Sequence, residues 1–390
     1  MTKRLYYEDS HRKEFQAVVT ACEQTRDFWR ISLDETAFFP EGGGQAGDSG
    51  SLNEVEIWDT HEKDEIVWHY AKAPLEPGTK VTGRIDWKKR FSRMQQHSGE
   101  HIVSGLVHAR FGYDNVGFHL GEQEVTLDFN GAITKEELEE IETAANEAVF
   151  ANLPIQVSYP SKEELAVMEY RSKIEIEGQV RIVTIPGIDV CACCAPHVKY
   201  TGEIGLIKLT GVQAHRGGVR INLLAGDRAL QDYQEKEASV KAISVLLSAK
   251  EALVADAVER LKQEAYDLRG ALMRLNLSRI QEKAAGIPEG TANPIFFEDG
   301  LDADACREFV NLLTARCTGI VSVFNGSDAT GYRYILGSHT EDTRPLCKHL
   351  NGVFHGKGGG KPEMVQGSLA GAQSEIAASV KAFFSEMENQ

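Results

Sequence analysis

The chain has 390 residues, 42% of them hydrophobic and 26% charged, and a formal net charge of −16. That length exceeds one ordinary core, and the composition excludes both a disordered chain and a membrane-embedded one. The acidic balance argues against indiscriminate attachment to nucleic acid, because phosphate binding draws on Lys and Arg.

No apolar run approaches the roughly 20 residues of a membrane span, and the first residues hold no hydrophobic leader core, so the chain reads as cytoplasmic. Its seven cysteines, three of them crowded at Cys191, Cys193 and Cys194, do not resemble a disulfide framework. Reduced thiols and a metal site fit better.

Short alternating or apolar stretches at residues 14–20, 28–33, 55–58, 65–70 and 80–85, divided by Gly, Pro and Asp, predict a small β-barrel or sandwich over residues 1–86. Between two of them runs Phe38-Phe39-Pro40-Glu41-Gly42-Gly43-Gly44-Gln45-Ala46-Gly47-Asp48. Its glycines permit positive φ and close backbone approach to a ligand, and Gln45 offers both a donor and an acceptor. A purely structural turn is the alternative reading.

From residue 87 to 110 the pattern turns helical, with Phe91, Met94, Ile102 and Leu106 as an apolar stripe. The helix opens on a basic run, Arg84, Lys88, Lys89, Arg90 and Arg93 against Asp86 alone, which is a local RNA footprint or a solvated helix start. Residues 125–129 read as a strand. Residues 135–150 read as a helix capped reciprocally by Thr134 and Glu137. Strands are expected at 155–159, 180–185 and 205–210, so the architecture is α+β.

Between residues 227 and 287 proline is absent, and Tyr233, Val240, Leu247, Val254, Leu261, Leu268 and Leu275 recur every seven positions. The companion positions, Ser244, Glu251, Ile243, Ala257 and Ala271, are mixed. A long helical arm is expected, packed on its own domain or on a second subunit. Residues 288–390 then read as a C-terminal α/β domain with strands at 294–297, 320–324 and 333–336 and a helix at 302–316. It carries Gly356-Lys357-Gly358-Gly359-Gly360-Lys361-Pro362, which is not a nucleotide-hydrolysing phosphate loop: Gly356 sits one residue too close and Pro362 replaces the hydroxyl that holds Mg²⁺. Its amides, Lys357 and Lys361 are still suited to an RNA phosphate or a chain end.

The chemistry concentrates in two pairs. His97 and His101 are four residues apart on the predicted helix and share a face, and Cys193 and His197 repeat the spacing. Imidazole and thiolate suit zinc, and together the pairs make a His₃Cys tetrahedral set. Cys191 and Cys194 read as bystanders, and His108 as an ordinary hydrogen-bonded histidine. Two other classes compete. His97-Ser98-Gly99-Glu100-His101 also matches an inverted zinc-protease signature with Glu100 as base, which would leave Cys193 and His197 without a task. An RNA-binding module with structural zinc is the other, and it predicts binding without turnover.

Taken in order, the Phe38–Asp48 segment, His97-x₃-His101, Cys193-x₃-His197 and Gly356-Lys-Gly-Gly-Gly-Lys361-Pro362 resemble the editing half of alanyl-tRNA synthetase, and more closely the long-form free-standing alanyl-tRNA editing proteins, the AlaX family. No stretch resembles the aminoacylation domain. The resemblance implies hydrolysis of the ester joining serine or glycine to tRNA specific for alanine. By motif match it assigns one Zn²⁺ to His97, His101, Cys193 and His197, and places Gln45 and Thr36 beside the aminoacyl end. It makes residues 87–226 a zinc-binding editing domain, the arm an aid to dimerisation, and Lys357 to Lys361, through Gly358, Gly359 and Gly360, part of a tRNA-binding domain. Lys88, Lys89, Arg90 and Arg93 are candidate tRNA contacts near the metal. Where the family has Cys-x-Gly-Thr-His, this chain has Ala195-Pro196 in place of Gly-Thr. Alanine and serine differ by one hydroxyl, which apolar exclusion discriminates poorly, so a polar contact from Gln45 or Thr36 is expected to select serine.

Overall fold

Alternation of apolar and polar residues drives the first element. In β1 (Glu14–Gln24), Phe15, Ala17 and Val19 point inward between exposed neighbours. The computed structural model describes residues 1–121, 124–172 and 178–388. In it β1 joins β2 (Trp29–Leu33), β3 (Gly50–Leu52), β4 (Val55–Lys63), β5 (Ile66–Ala71) and β6 (Lys80–Ile85) in an antiparallel barrel of order β1-β2-β5-β4-β3-β6, closed by β6 on β1. Ile31, Leu33, Leu52, Ile57 and Val81 fill it. The short strand β3 carried no alternation to read in advance.

Helix α1 (Trp87–Phe111) starts where Asp86 accepts a hydrogen bond from the Lys89 N–H, and stops at Gly112, whose φ of +70° ends the helix. It packs on an antiparallel sheet of order β12-β13-β8-β7, formed by β7 (Asn115–Leu120), β8 (Val125–Phe129), β12 (Ile207–His215) and β13 (Gly218–Ala225). Helix α2 (Lys135–Phe150) completes this core, and Thr134 and Glu137 form the reciprocal cap their spacing predicts. A smaller sheet, β9 (Gln156–Ser158), β10 (Ile182–Ile185) and β11 (Asp189–Ala192), leads into the cysteine cluster.

The helical region is two helices rather than one arm. Helix α3 (Gly226–Leu247) ends at Ser248, which has a φ of +50°, and the Ser244 hydroxyl donates to the Ala249 carbonyl to close the turn. Helix α4 (Val254–Ala285) then begins afresh. A serine that bonds its own backbone offers the chain an alternative to helix, which a count of apolar positions does not detect.

The contacts divide the chain into two units, Met1–Ala242 and Ile243–Gln390. In the second, β14 (Ile295–Glu298), α5 (Ala303–Thr314), β15 (Val321–Ser327), β16 (Gly331–Gly337), α6 (Arg344–Val353), β17 (Lys357–Lys361), β18 (Met364–Leu369) and α7 (Gln373–Glu388) build a sheet of order β14-β15-β16-β18-β17. Only β14 and β15 run parallel, so this sheet is mixed and not the parallel sheet of an α/β domain. The Lys357–Lys361 segment, expected as a loop, is its exposed edge strand. Main-chain pairing with β18 overrides the low strand propensity of three glycines. Among the described residues no helix is long and apolar enough to cross a membrane.

Candidate metal centre and its supports

Arg90, Arg93, His97 and His101 recur every three or four residues of α1 and therefore share a face. The first two hold the glycine-rich segment. Arg90 is fully buried: its Nε donates to Asp48 Oδ2 at 2.8 Å and its Nη2 to the Ala37 carbonyl at 2.6 Å, while the same Asp48 oxygen accepts from the Phe39 N–H. Arg93 Nη1 donates to the Gly47 carbonyl at 2.6 Å. The expectation that Arg90 contacts tRNA is thus corrected. A guanidinium with no exposed surface has no face for RNA, and its task is to pin both ends of the glycine-rich segment to α1. Of the basic run only Lys88 and Lys89 lie open to solvent around it, besides Arg84 at the barrel edge.

So pinned, the segment delivers Gln45, which is 1% exposed. Its Oε1 accepts from His97 Nδ1–H at 3.2 Å, and its Nε2 is buried without a hydrogen-bond partner. Gly44 has a φ of +80°, and a Cβ there would lie 2.6 Å from the ring of Phe118, which itself packs 4.8 Å from the His97 ring. Only glycine brings the segment this close.

The two pairs read from spacing meet. One ligand atom from each of His97, His101, Cys193 and His197 lies within 4.8 Å of every other, and all four residues are buried or nearly so. Cys193 Sγ is 3.6 Å from His97 Nε2 and 3.4 Å from His197 Nε2. A tetrahedral ion with metal–sulfur bonds of about 2.3 Å and metal–nitrogen bonds of about 2.0–2.1 Å has S···N edges of about 3.6 Å, so the donors fit zinc.

Each histidine turns its other nitrogen to a separate partner. His97 Nδ1 meets Gln45, His101 Nδ1 meets Asp189 Oδ2 at 2.8 Å, and His197 Nδ1 meets Ser98 Oγ at 3.0 Å. Such bonds fix ring orientation and leave the Nε2 lone pairs facing inward. Asp189 is gripped in turn by both arms of Arg171, at 2.7 and 2.9 Å. The approach is close because residue 105 is glycine: a Cβ there would lie 2.4 Å from the Ile188 carbonyl. Burial works against the Asp189 carboxylate, yet the bonds from His101 and Arg171 hold its pKa below the ordinary value. Burial also opposes the Cys193 thiolate, but His97 and His197 carry the thiol well below its usual pKa. Burial takes His197 down to about 3. His101 goes the other way: burial lowers its pKa, but the bonds to Asp189 and Cys193 raise it well above the ordinary value, so an ion bound here has to displace the proton from that ring.

Asp189, Ser98, Arg171 and Phe118 were not anticipated from the sequence; nothing in spacing marks a residue whose role is to orient a histidine. Cys191 lies with His101 and Asp189 in a second cluster, outside the four-donor set. Glu100 Oε1 accepts from Ser104 and from Asn115, both at 2.7 Å. A cavity of about 990 Å³ is lined by Asn115, Arg171, Asp189 and Cys191 and by none of the four donors.

Thr36 departs from expectation. It is fully buried in contact with His69, whose Nδ1–H donates to the Ile31 carbonyl and whose Nε2 accepts the Thr36 hydroxyl at 2.8 Å. The Thr36 oxygen also accepts from the Phe38 N–H, and none of its bonds reaches Gln45 or the four donors. Its single proton is committed to the barrel core.

Residues 180–222, which contain Cys193 and His197, match the family model "Threonyl and Alanyl tRNA synthetase second additional domain". Residues 3–89, the stretch that holds the barrel, Thr36 and Gln45, match "tRNA synthetases class II (A)". Along most of its length the chain is homologous to the alanyl-tRNA editing proteins. It is 28% identical to alanyl-tRNA editing protein Aarsd1 of Danio rerio over 92% of each chain, and 27% identical to alanyl-tRNA editing protein AlaX-L of Pyrococcus horikoshii over 96% of each. It is 30% identical to the alanine–tRNA ligase of Methanoregula boonei over 94% of this chain but 41% of the ligase.

Proposed function

We propose that this chain hydrolyses the ester joining a wrong amino acid, serine or glycine, to tRNA specific for alanine, and does not itself charge tRNA. The observation that carries the reading is the meeting of four metal donors beside Gln45, on a chain whose full-length relatives are editing proteins. His97, His101, Cys193 and His197 hold one zinc ion in this reading. When bound it supplies a Lewis acid and lowers the pKa of a coordinated water to about 7.

The remaining work belongs to the chain. Gln45 has already given its acceptor to His97, so only its N–H groups face the site, and they donate to an oxygen of the substrate. Preference for serine over alanine rests on that donor, because a serine hydroxyl accepts from it and a methyl group does not; glycine, without a hydroxyl, is admitted by its size. Thr36, whose proton goes to His69, has none left to offer the substrate. An aminoacyl ester is an activated carbonyl, for which orientation in a water-poor site supplies much of the rate. His97, His101 and His197 are each at most 3% exposed.

Lys88 and Lys89 in the first turn of α1, and Lys357 to Lys361 on β17, are the proposed tRNA contacts, being exposed cations or glycine amides. Residues 1–86, 87–226, 227–287 and 288–390 serve in this reading as barrel, editing domain, helical region and C-terminal tRNA-binding domain. Helix α4 carries the further proposal of a homodimer: Val254, Leu261, Leu268 and Leu275 alternate with Val258, Ala265 and Leu272 at steps of four and three, the seam of a coiled coil. Val258, Leu261, Leu268, Leu272 and Leu275 are all exposed. Seven free cysteines suit the reducing cytoplasm.

The test is deacylation of seryl-, glycyl- and alanyl-tRNA by the wild-type protein and by Cys193→Ala, with zinc content measured in each. Hydrolysis of the first two, lost with the zinc in the variant, is expected. A zinc-loaded wild type that deacylates none of them overturns the reading.

A further inference from the structure

The second unit contains a groove of which the editing reading uses only Lys357. It has a volume of about 570 Å³ and lies between the start of α5 and the exposed face of the mixed sheet. Four of its lining residues form one cross-strand row. Asn325 on β15 pairs with Arg333 on β16, Arg333 with Ser368 on β18, and Ser368 with Lys357 on β17. Residues directly opposite on neighbouring strands project from the same face. Arg333 and Lys357 therefore flank the Ser368 hydroxyl, two strands and about 10 Å apart at the backbone, within reach of each other's long side chains.

Both cations are exposed, and neither has an ion pair or side-chain hydrogen bond among the described residues. The groove is preformed: Asn325 Nδ2 donates to the Leu301 carbonyl at 2.8 Å and its Oδ1 accepts from the Leu301 N–H at 3.2 Å, holding the approach to α5 over the row. Asp302, the one carboxylate that lines it, is occupied as the cap of α5, accepting from the Ala305 N–H at 2.7 Å. Beside the cations the floor is apolar, made by Cys306, Val323 and Ile335, all nearly buried. Gln366 completes the wall. Its Oε1 accepts from Arg307, which leaves its N–H groups to donate.

We propose that this groove binds a nucleotide, with the phosphate between Arg333 and Lys357 over Ser368 and the flat base on the apolar floor. Two unpaired cations and a hydroxyl donor match the negative charge and acceptor oxygens of a phosphate. The adjoining space, a few hundred cubic ångströms with one amide edge, suits a single ring system. Free nucleotides and the nucleotides of an RNA strand share this chemistry. The proposal deepens the part of the proposed function that places Lys357 on tRNA and rests on it there, but it is independent of the metal centre, because every group named lies in the second unit.

Equilibrium binding to the full chain, with adenosine monophosphate, inorganic phosphate and a short single-stranded oligoribonucleotide as probes, tests it. Adenosine monophosphate should saturate the wild type and bind at least about tenfold more weakly to Arg333→Ala and to Lys357→Ala. Ser368→Asp, which places a carboxylate between the cations, should abolish binding, and Lys381→Ala on α7 should leave it unchanged. The oligoribonucleotide should compete with the mononucleotide; tighter binding of one or the other identifies an RNA strand or a free nucleotide as the occupant. No saturable binding, equal affinity in both alanine variants, or inorganic phosphate bound as tightly as the mononucleotide overturns the proposal. No aminoacyl ester is present in this assay, so its failure removes the phosphate contact at Lys357 and leaves ester hydrolysis at the metal centre untouched.

Discussion

Helix α1 buries Arg90, Gln96, His97, Glu100 and His101, whereas α4 leaves Val258, Leu261, Leu268, Leu272 and Leu275 on its surface. Each inverts the usual sorting of side chains between core and solvent. In α1 the inversion is compensated within the chain: Arg90 has Asp48 and two carbonyls, Gln96 exchanges bonds with the Ala225 backbone, and His97 and His101 have Gln45 and Asp189. In α4 the exposed seam has no such cover. Buried polar groups with complete partners mark a site already built, and exposed apolar groups in register mark one that a second molecule completes.

The sharpest way to break the α1 side is to remove a donor. Cys193→Ala should lose the zinc and lower the rate of seryl-tRNA deacylation at least about a thousandfold, since a metal contributes several kcal/mol to such a reaction. Metal analysis and single-turnover hydrolysis read it. Zinc retained at one equivalent would place the ion elsewhere.

Next comes the Arg90–Asp48 pair. Asp48→Ala leaves a guanidinium with no exposed surface facing no carboxylate, and should cost about 3–5 kcal/mol. Thermal unfolding should fall by roughly 10 °C for a unit of this size. Editing should fall as well, because the segment that carries Gln45 loses its anchor. An Asp48→Ala protein with unchanged melting would mean that Arg90 finds other partners.

What was legible beforehand follows the same division. The donors were readable because helical periodicity turns a spacing of four into a shared face, and the cap at Thr134 and Glu137 because it is a contact within one turn. The outer partners were not. Asp189 reaches His101 across 88 residues, and Gln45 reaches His97 across 52. Arg90 looked like part of a basic surface because charge in a sequence says nothing of burial, which here is set by the barrel and its glycine-rich segment. The turn at Ser248 and the edge strand at Lys357–Lys361 were missed because side-chain bonds to backbone and sheet pairing override local composition.

His69 tests whether a buried polar group outside the metal centre carries the same kind of cost. Burial lowers its pKa to about 4 in the folded barrel, against about 6.5 when unfolded. The unfolded chain therefore binds a proton below pH 6.5 that the folded chain does not accept until about pH 4. Stability from this group is complete above pH 6.5 and is lost as the pH falls, by about 3 kcal/mol over that window. Denaturant melts between pH 7 and 4 should show the slope, and His69→Gln should flatten it by about one proton. An unchanged slope would assign the acid sensitivity to other groups.

A smaller effect is expected at Asp189, which touches a donor without being one. Asp189→Asn keeps the shape but gives up the charge that His101 and Arg171 share, and should weaken zinc about 10–100-fold in a chelator competition. Wild-type affinity in this variant would show that ring orientation alone, not the carboxylate's charge, matters.

The smallest change in folding stability belongs to α4, where it is also the most informative. Leu268 is 63% exposed, so Leu268→Gln should leave the unfolding free energy of the chain within about 0.5 kcal/mol. If the seam of Val258, Leu261, Leu268 and Leu272 is closed by a second copy, the same substitution removes a buried leucine from each partner. Sedimentation equilibrium should then shift from dimer toward monomer, and Leu261→Gln combined with Leu268→Gln should complete the shift. A wild type that sediments as a monomer at all concentrations would leave the exposed seam of α4 without the partner proposed for it.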